Sequence, residues 1–177
     1  MNLIRRGALI VSPWRNGAGR KADIATGAGW LIGFAFLDED APFSDYAGHD
    51  RTITLVEGPG FTLAGEERDL GVTEIGQPAA FDGGWRVACR IHGGACVVLN
   101  AMTERAHWRH NVTVHHGGGT IAADPAGAVA DVLVVLRGEI RLGDVAAGPQ
   151  DAIRLDGPVV AQADVTALVC RVRVLAG

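Results

Sequence analysis

The sequence predicts an all-β protein. Its apolar segments are short, rich in β-branched residues and bounded by glycine, proline or aspartate, the pattern of strands rather than helices. Only 102–109 and 124–130 offer helical turns, and both are too short to stand alone. Turn signals recur at close spacing, which places the chain among mostly antiparallel sandwiches and barrels.

Strands are expected at 8–12, 30–37, 52–56, 85–91, 95–101, 111–114, 131–136, 140–142, 152–155 and 166–175. The first is the Ala8-Leu9-Ile10-Val11 run that Pro13 ends, and the second the apolar stretch that opens at Trp30. The third, Thr52-Ile53-Thr54-Leu55-Val56, runs into Glu57-Gly58 and a return at Phe61-Thr62-Leu63, followed by a Gly76-Gln77-Pro78 step. Segments 85–91, 95–101 and 111–114 follow, and then the order of features repeats. Val132-Leu133-Val134-Val135-Leu136 leads to Arg137-Gly138, Ile140-Arg141-Leu142 and a Gly148-Pro149-Gln150 step, before the last two strands. A strand ending in glycine, a hairpin return and a Gly/Pro turn form a unit of the double-stranded β-helix, or cupin, type. Two such units make a bicupin of two packed jelly-roll halves. The single unit 1–177 is then expected to have an N-terminal half 1–115 and a C-terminal half 116–177, with His115-His116-Gly117-Gly118-Gly119 as the crossover.

A chain of 177 residues with 48% hydrophobic and 20% charged residues can bury a real core. Its net charge is −4 and it has no long basic run, which argues against nucleic acid as the partner. Nor does any stretch approach the ~18 apolar residues that span a bilayer, and Arg5-Arg6 precedes too short an apolar run for a signal peptide. A cytoplasmic protein without a membrane partner is expected. Cys89, Cys96 and Cys170 sit in strand-like runs and read as buried reduced thiols. Lysine occurs once, at Lys21, so the other cationic side chains are arginines, the better group for a two-pronged grip on a carboxylate.

Three stretches could carry chemistry. In 12–21, glycines 17 and 19 let a ligand approach the backbone, while Arg15, Arg20 and Lys21 place three cations on one loop. The turn-rich segment 41–51 delivers Arg51 to the mouth of a strand, where a small ligand would enter a barrel. In 97–105, alternation puts Asn100 on the face of Val98 and Met102, and an amide among apolar groups needs a partner. Histidines 107 and 110 with Glu104 converge only on a helix, His115 and His116 point to opposite faces of a strand, and no His-x-His occurs. Neither a metal nor any other cofactor is expected. His92 reads as a core or pocket residue, and no Gly-x-Ser-x-Gly elbow is present.

Taken together, Pro13-Trp14-Arg15-Asn16-Gly17-Ala18-Gly19, then Pro42-Phe43-Ser44 with Gly48-His49-Asp50-Arg51, then Leu99-Asn100-Ala101-Met102-Thr103-Glu104-Arg105 resemble the ordered signatures of the HutD/Ves family. The match covers roughly residues 3–175. The resemblance implies a bicupin, and a link to bacterial histidine utilisation as a modulator that senses an intermediate; Ves relatives lie outside that pathway. It marks Trp14, Arg15, Asn16, Phe43, Ser44, Arg51, Asn100, Met102 and Arg105 as ligand-binding positions. The chain departs from the family pattern at Ala18, where a glycine is usual, across Arg20-Lys21-Ala22-Asp23, where a threonine and a glutamate are usual, and at Val98, where an aspartate is usual.

The expected function is therefore binding of a small carboxylate metabolite. Arg51 and Arg15 would clamp the acid, Asn100 would meet a neutral polar end, and Trp14, Phe43 and Met102 would form apolar walls. The family implies urocanate, formiminoglutamate or formylglutamate. Catalysis is not expected to be the main role, and a homodimer stays open. Two other readings stand beside this one: a metal-free enzyme using His92 or His49 as acid or base, and a protein-interaction scaffold with an occluded barrel.

Overall fold

The computed structural model describes residues 1–14 and 16–177. Among them regular structure is strand, apart from one 3-10 turn at Arg6–Ala8. In chain order the strands are β1 (Asn2–Ile4), β2 (Val11–Pro13), β3 (Arg20–Gly27), β4 (Trp30–Leu37), β5 (Ala41–Pro42), β6 (His49–Glu57), β7 (Phe61–Gly65), β8 (Asp69–Val72), β9 (Pro78–Asp82) and β10 (Val87–Ile91). They continue with β11 (Cys96–Glu104), β12 (Trp108–His116), β13 (Gly119–Ala123), β14 (Ala128–Arg137), β15 (Ile140–Leu142), β16 (Val145–Ala147), β17 (Ala152–Arg154), β18 (Val159–Ala163) and β19 (Leu168–Ala176). The fold is all-β, as the apolar pattern predicts.

Two compact units divide the chain, Ile10–Trp108 on the one hand and Met1–Leu9 with Arg109–Gly177 on the other. The division falls at 108–109, where the sequence places a crossover at 115–119. The first nine residues belong with the C-terminal unit, because β1 adds an edge to β17 with Leu3 opposite Ile153. Each unit holds two sheets. The N-terminal unit has a six-stranded sheet ordered β2-β3-β4-β11-β6-β9 and a four-stranded sheet ordered β5-β10-β7-β8. The C-terminal unit has a five-stranded sheet ordered β1-β17-β14-β19-β12 and a four-stranded sheet ordered β13-β18-β15-β16.

Alternation decides which side chains fill each unit. Ile53 and Leu55 of β6 and Val98 of β11 join Phe61, Leu63, Val72 and Val87 in one core. Leu133 and Val135 of β14 and Val169 of β19 join Ile121, Ile140 and Ile153 in the other. Gly58 and Gly138, the glycines that close the repeated strand, both have positive φ, +106° and +71°, where a side chain would be strained. A Cβ on Gly58 would also strike the Ala95 carbonyl, and one on Gly138 would lie 2.7 Å from the Ala167 Cα.

Several expectations change. Of the run 8–12 only Ala8 belongs to the 3-10 turn, the strand begins at Val11, and Ile10 between them is 85% exposed, because apolar sequence without a covering sheet stays at the surface. The helical turns expected at 102–109 and 124–130 are the end of β11, a tight turn, the start of β12 and the entry to β14. β3 lies where the sequence shows a charged loop; it alternates Arg20, Lys21 and Asp23 with the buried Ala22 and Ile24. The three cysteines are buried and form no disulfide among the described residues. Among the described residues no helix is long and apolar enough to cross a membrane.

Candidate ligand pocket

The six-stranded sheet places three functional side chains side by side. On β6, residues 51, 53 and 55 share a face; on β11, residues 98, 100 and 102 do. The register sets Met102 opposite Arg51 and Asn100 opposite Ile53. Toward the mouth, where the apolar core gives way, the same faces therefore carry Arg51, Asn100 and Met102 in place of Leu55 and Val98.

Two loops wall this position. Trp14 is anchored by its N–H to the Gly19 carbonyl at 2.8 Å, and its ring lies against Gly19, where a Cβ would come within 2.7 Å of the indole. Asn16 ties that loop to the next, donating from Nδ2 to the Pro42 carbonyl at 3.0 Å and accepting from the Ala18 N–H at 3.1 Å. The second loop is fixed by the Phe43 N–H on the Val87 carbonyl (3.0 Å) and the Tyr46 N–H on the Gly83 carbonyl (2.9 Å). Trp14 and Phe43 then meet edge to face at 5.5 Å.

The result is a partly enclosed recess. It is lined by Trp14, Lys21, Phe43, Ser44, Tyr46, Arg51, Asn100 and Met102, with Leu31, Phe34, Ala35, Ile53 and Val98 beneath. Arg51 dominates its electrostatics. Only 8% of the residue is exposed, and the guanidinium carbon lies 5.1, 5.5 and 5.0 Å from the ring centres of Phe43, Tyr46 and Phe81. Among the described residues its one polar side-chain contact is a long 3.4 Å donation from Nη2 to Asn100 Oδ1, and its buried Nε has no partner. Among the described residues no carboxylate pairs with it. Burial pulls the Arg51 pKa down to about 10, offset in part by Tyr46, so the group remains a cation at neutral pH. Lys21, by contrast, is ion-paired with Asp23 at 2.7 and 2.9 Å.

Six of the positions marked by the sequence line the recess: Trp14, Phe43, Ser44, Arg51, Asn100 and Met102. Asn16 does not line it but braces its walls. Arg105 is elsewhere, 47% exposed at the side chain and held by Asp50 and Asp82, each at 2.7 Å, and by the His49 carbonyl. Arg15 lies outside the described residues. Sequence reasoning missed Lys21 and Tyr46 as lining groups, although the first is the sole lysine and the second the sole tyrosine. Neither His49 nor His92 lines the recess: His49 packs on Tyr46 and His92 bonds Thr62 Oγ1 at 2.9 Å. His92, expected in the core or the pocket, is exposed just beyond β10 and belongs to neither. Among the described residues no grouping of three histidine, cysteine or acidic side chains could hold a metal ion.

The sequence profile of the HutD family matches residues 8–172. This chain belongs to the HutD family. A curated relative from Pseudomonas putida, an uncharacterized 21.2 kDa protein in the hutC 3' region, is 27% identical over 82% of this chain and 81% of its own length. Protein Ves of Citrobacter koseri is 30% identical over 76% of this chain and 72% of its own. Among solved structures, HutD from Pseudomonas fluorescens, determined in a formate condition, superposes with a TM-score of 0.83 at 24% identity, covering 99% of this chain and 98% of that one. A cupin 2 conserved barrel domain protein from Leptotrichia buccalis gives 0.66 at 10% identity, with 99% and 96% covered. At these identities the likeness is one of fold, and it is a cupin fold for this HutD-family chain.

Proposed function

We propose that this protein is a cytoplasmic bicupin that binds a small carboxylate metabolite, and that it modulates histidine utilisation by sensing an intermediate of that pathway. The observation that carries the reading is the buried Arg51 guanidinium, which has an unpartnered Nε and no carboxylate partner among the described residues. An uncompensated buried charge is costly. A ligand carboxylate entering the recess supplies the two-pronged partner that Arg51 lacks, with Asn100 beside it for a neutral polar end and Trp14, Phe43 and Met102 as walls. The link to histidine utilisation rests on family membership and on the hut region that the Pseudomonas putida relative's name records.

The chain carries an internal comparison. The repeated strands align Thr52 with Val132, so Arg51 corresponds to Asp131, and the registers make Asn100 the counterpart of Arg171 and Met102 that of Arg173. In the C-terminal unit the equivalent cluster contains its own acid: Asp131 takes bonds from Arg171 at 2.6 and 3.0 Å and is ion-paired with Arg173 Nε at 3.3 Å. The N-terminal unit has the guanidinium without the acid. That matched plan of strands also supports the bicupin reading.

Isothermal calorimetry with urocanate, formiminoglutamate and formylglutamate tests the proposal. At least one acid is expected to bind stoichiometrically without product. Arg51→Ala is expected to weaken that binding by about 30-fold or more, the loss typical when one member of a buried charge pair is removed. Undiminished affinity in a folded Arg51→Ala variant would remove the clamp.

A further inference from the structure

The C-terminal unit carries a recess of its own, at the place that corresponds to the first. On the correspondence of the repeated strands, Leu133 matches Ile53, Val169 matches Val98 and Arg171 matches Asn100, and each of the six lines the recess of its own unit. Val114, Ile121 and Ala122 extend the apolar lining. The polar groups differ from those of the N-terminal recess. Thr113 and His115 sit two residues apart on β12, so alternation puts them on one face. Thr113 is exposed, and the His115 Nε2 is buried with no partner among the described residues. A buried nitrogen of this kind costs free energy until something bonds it.

Arg171 is the third polar group. Its Nε and Nη2 are spent on Asp131, at 3.0 and 2.6 Å, and on the Asp124 carbonyl at 2.8 Å, while Nη1 has no bond among the described residues. The Asp131 side chain is wholly buried, and Asp124 adds a second negative charge near Arg171. Arg173, which shares Asp131, does not line the recess and donates to the Ala126 carbonyl at 2.9 Å. An acid entering here meets a guanidinium already paired and a buried carboxylate beside it; an uncharged polar group meets a spare donor and an orphan nitrogen. We infer that the C-terminal recess is a second binding site, for a neutral carboxamide on a short hydrocarbon body, with His115 and Arg171 as its polar contacts. The amide suits both. Its oxygen accepts from the guanidinium, and because it also carries N–H donors it satisfies Nε2 in either tautomer. The hydrocarbon lies on Ile121, Leu133 and Val169. This site stands whether or not Arg51 takes a carboxylate.

Isobutyramide and isobutyrate make the test, being nearly isosteric and differing by one charge. The ring nitrogens of His115, followed by two-dimensional NMR and assigned with a His115→Phe variant, report on this recess rather than on Arg51. Isobutyramide is expected to shift them saturably, with a Kd in about the millimolar range for a ligand of this size, and isobutyrate to bind there about tenfold more weakly or worse. In the variants the backbone amides of residues 113, 121 and 122 take over as reporters. His115→Phe keeps a ring and removes its nitrogens, and is expected to lower isobutyramide affinity about tenfold; His115→Gln, which restores a donor and an acceptor, is expected to recover part of it, with circular dichroism confirming the fold of each variant. His115 signals unmoved by isobutyramide at about 100 mM, an equal response to both compounds, or undiminished binding in folded His115→Phe overturns the inference. Should His115→Phe fail to fold, His115→Gln supplies the assignment and the wild-type ring nitrogens decide the question.

Discussion

Arg51 carries its charge where a hydrocarbon side chain would be more stable. Three aromatic rings face its guanidinium, and each cation–π contact recovers a fraction of what water would have supplied. The unpartnered Nε marks what they leave unmet. Arg51→Met keeps much of the volume and removes the buried charge, so it is expected to raise unfolding stability by about 1–2 kcal/mol. The same variant is expected to lose any rise in melting temperature caused by carboxylates. A folded Arg51→Met protein less stable than the wild type would show that the cation is structurally satisfied. The pH dependence follows from a pKa that burial depresses to about 10. Below pH 10 the group is protonated in folded and unfolded chains alike, so its penalty is constant there, and it is relieved only as pH rises above about 10. Carboxylate affinity should thus stay flat between roughly pH 6 and 9, where a carboxylate is also fully ionised.

The elements that present Arg51 were legible to different degrees, for physical reasons. β4, β6, β11, β14 and β19 announce themselves because strands deep in a sheet are β-branched runs that glycine or charge interrupts. β3 was not legible. Its charged residues occupy the faces that meet solvent or the recess, and nothing in local sequence tells that pattern from a solvated loop. Parity located Asn100 and Met102 correctly once β11 was placed, but it could not orient Arg105, which lies past the strand's end and turns to Asp50 and Asp82. The recess itself depends on loops whose glycines act by absence. Gly19→Ala would bring a Cβ within 2.7 Å of the Trp14 ring, so the indole must move and its edge-to-face contact with Phe43 must open. Ligand affinity is expected to fall by about five- to tenfold while the unfolding free energy from urea titration changes by less than about 1 kcal/mol, since only a wall is displaced. Altered tryptophan fluorescence would report the movement; unchanged affinity would show that Trp14 does not form the wall.

At the scale of the whole molecule, the strands that the sequence repeats carry different charges at corresponding positions, and on the proposed reading that difference separates the roles of the two units. In the C-terminal unit the Asp131 side chain is completely buried between Arg171 and Arg173, so the acid is part of the chain and the cluster is closed. In the N-terminal unit the corresponding position is Arg51, and Val98 lines the recess beneath it; no built-in acid reaches the guanidinium among the described residues. On the proposed reading, one carboxylate ligand per chain is expected. Removing the built-in acid should turn the closed cluster into an open one. Asp131→Ala leaves two arginines without their shared counter-ion, which is expected to cost about 3–5 kcal/mol of unfolding stability. The space vacated is that of a carboxylate, lined by the donors that held it, so acetate should fill it and restore part of the lost stability. Chloride at equal ionic strength lacks two oxygens at the required spacing and should restore less. Urea unfolding of Asp131→Ala in acetate and in chloride, with wild-type controls, measures the difference. Equal midpoints in the two salts would mean that guanidinium groups in this fold ask only for negative charge, and the case for Arg51 as a selective carboxylate clamp would lose its internal precedent.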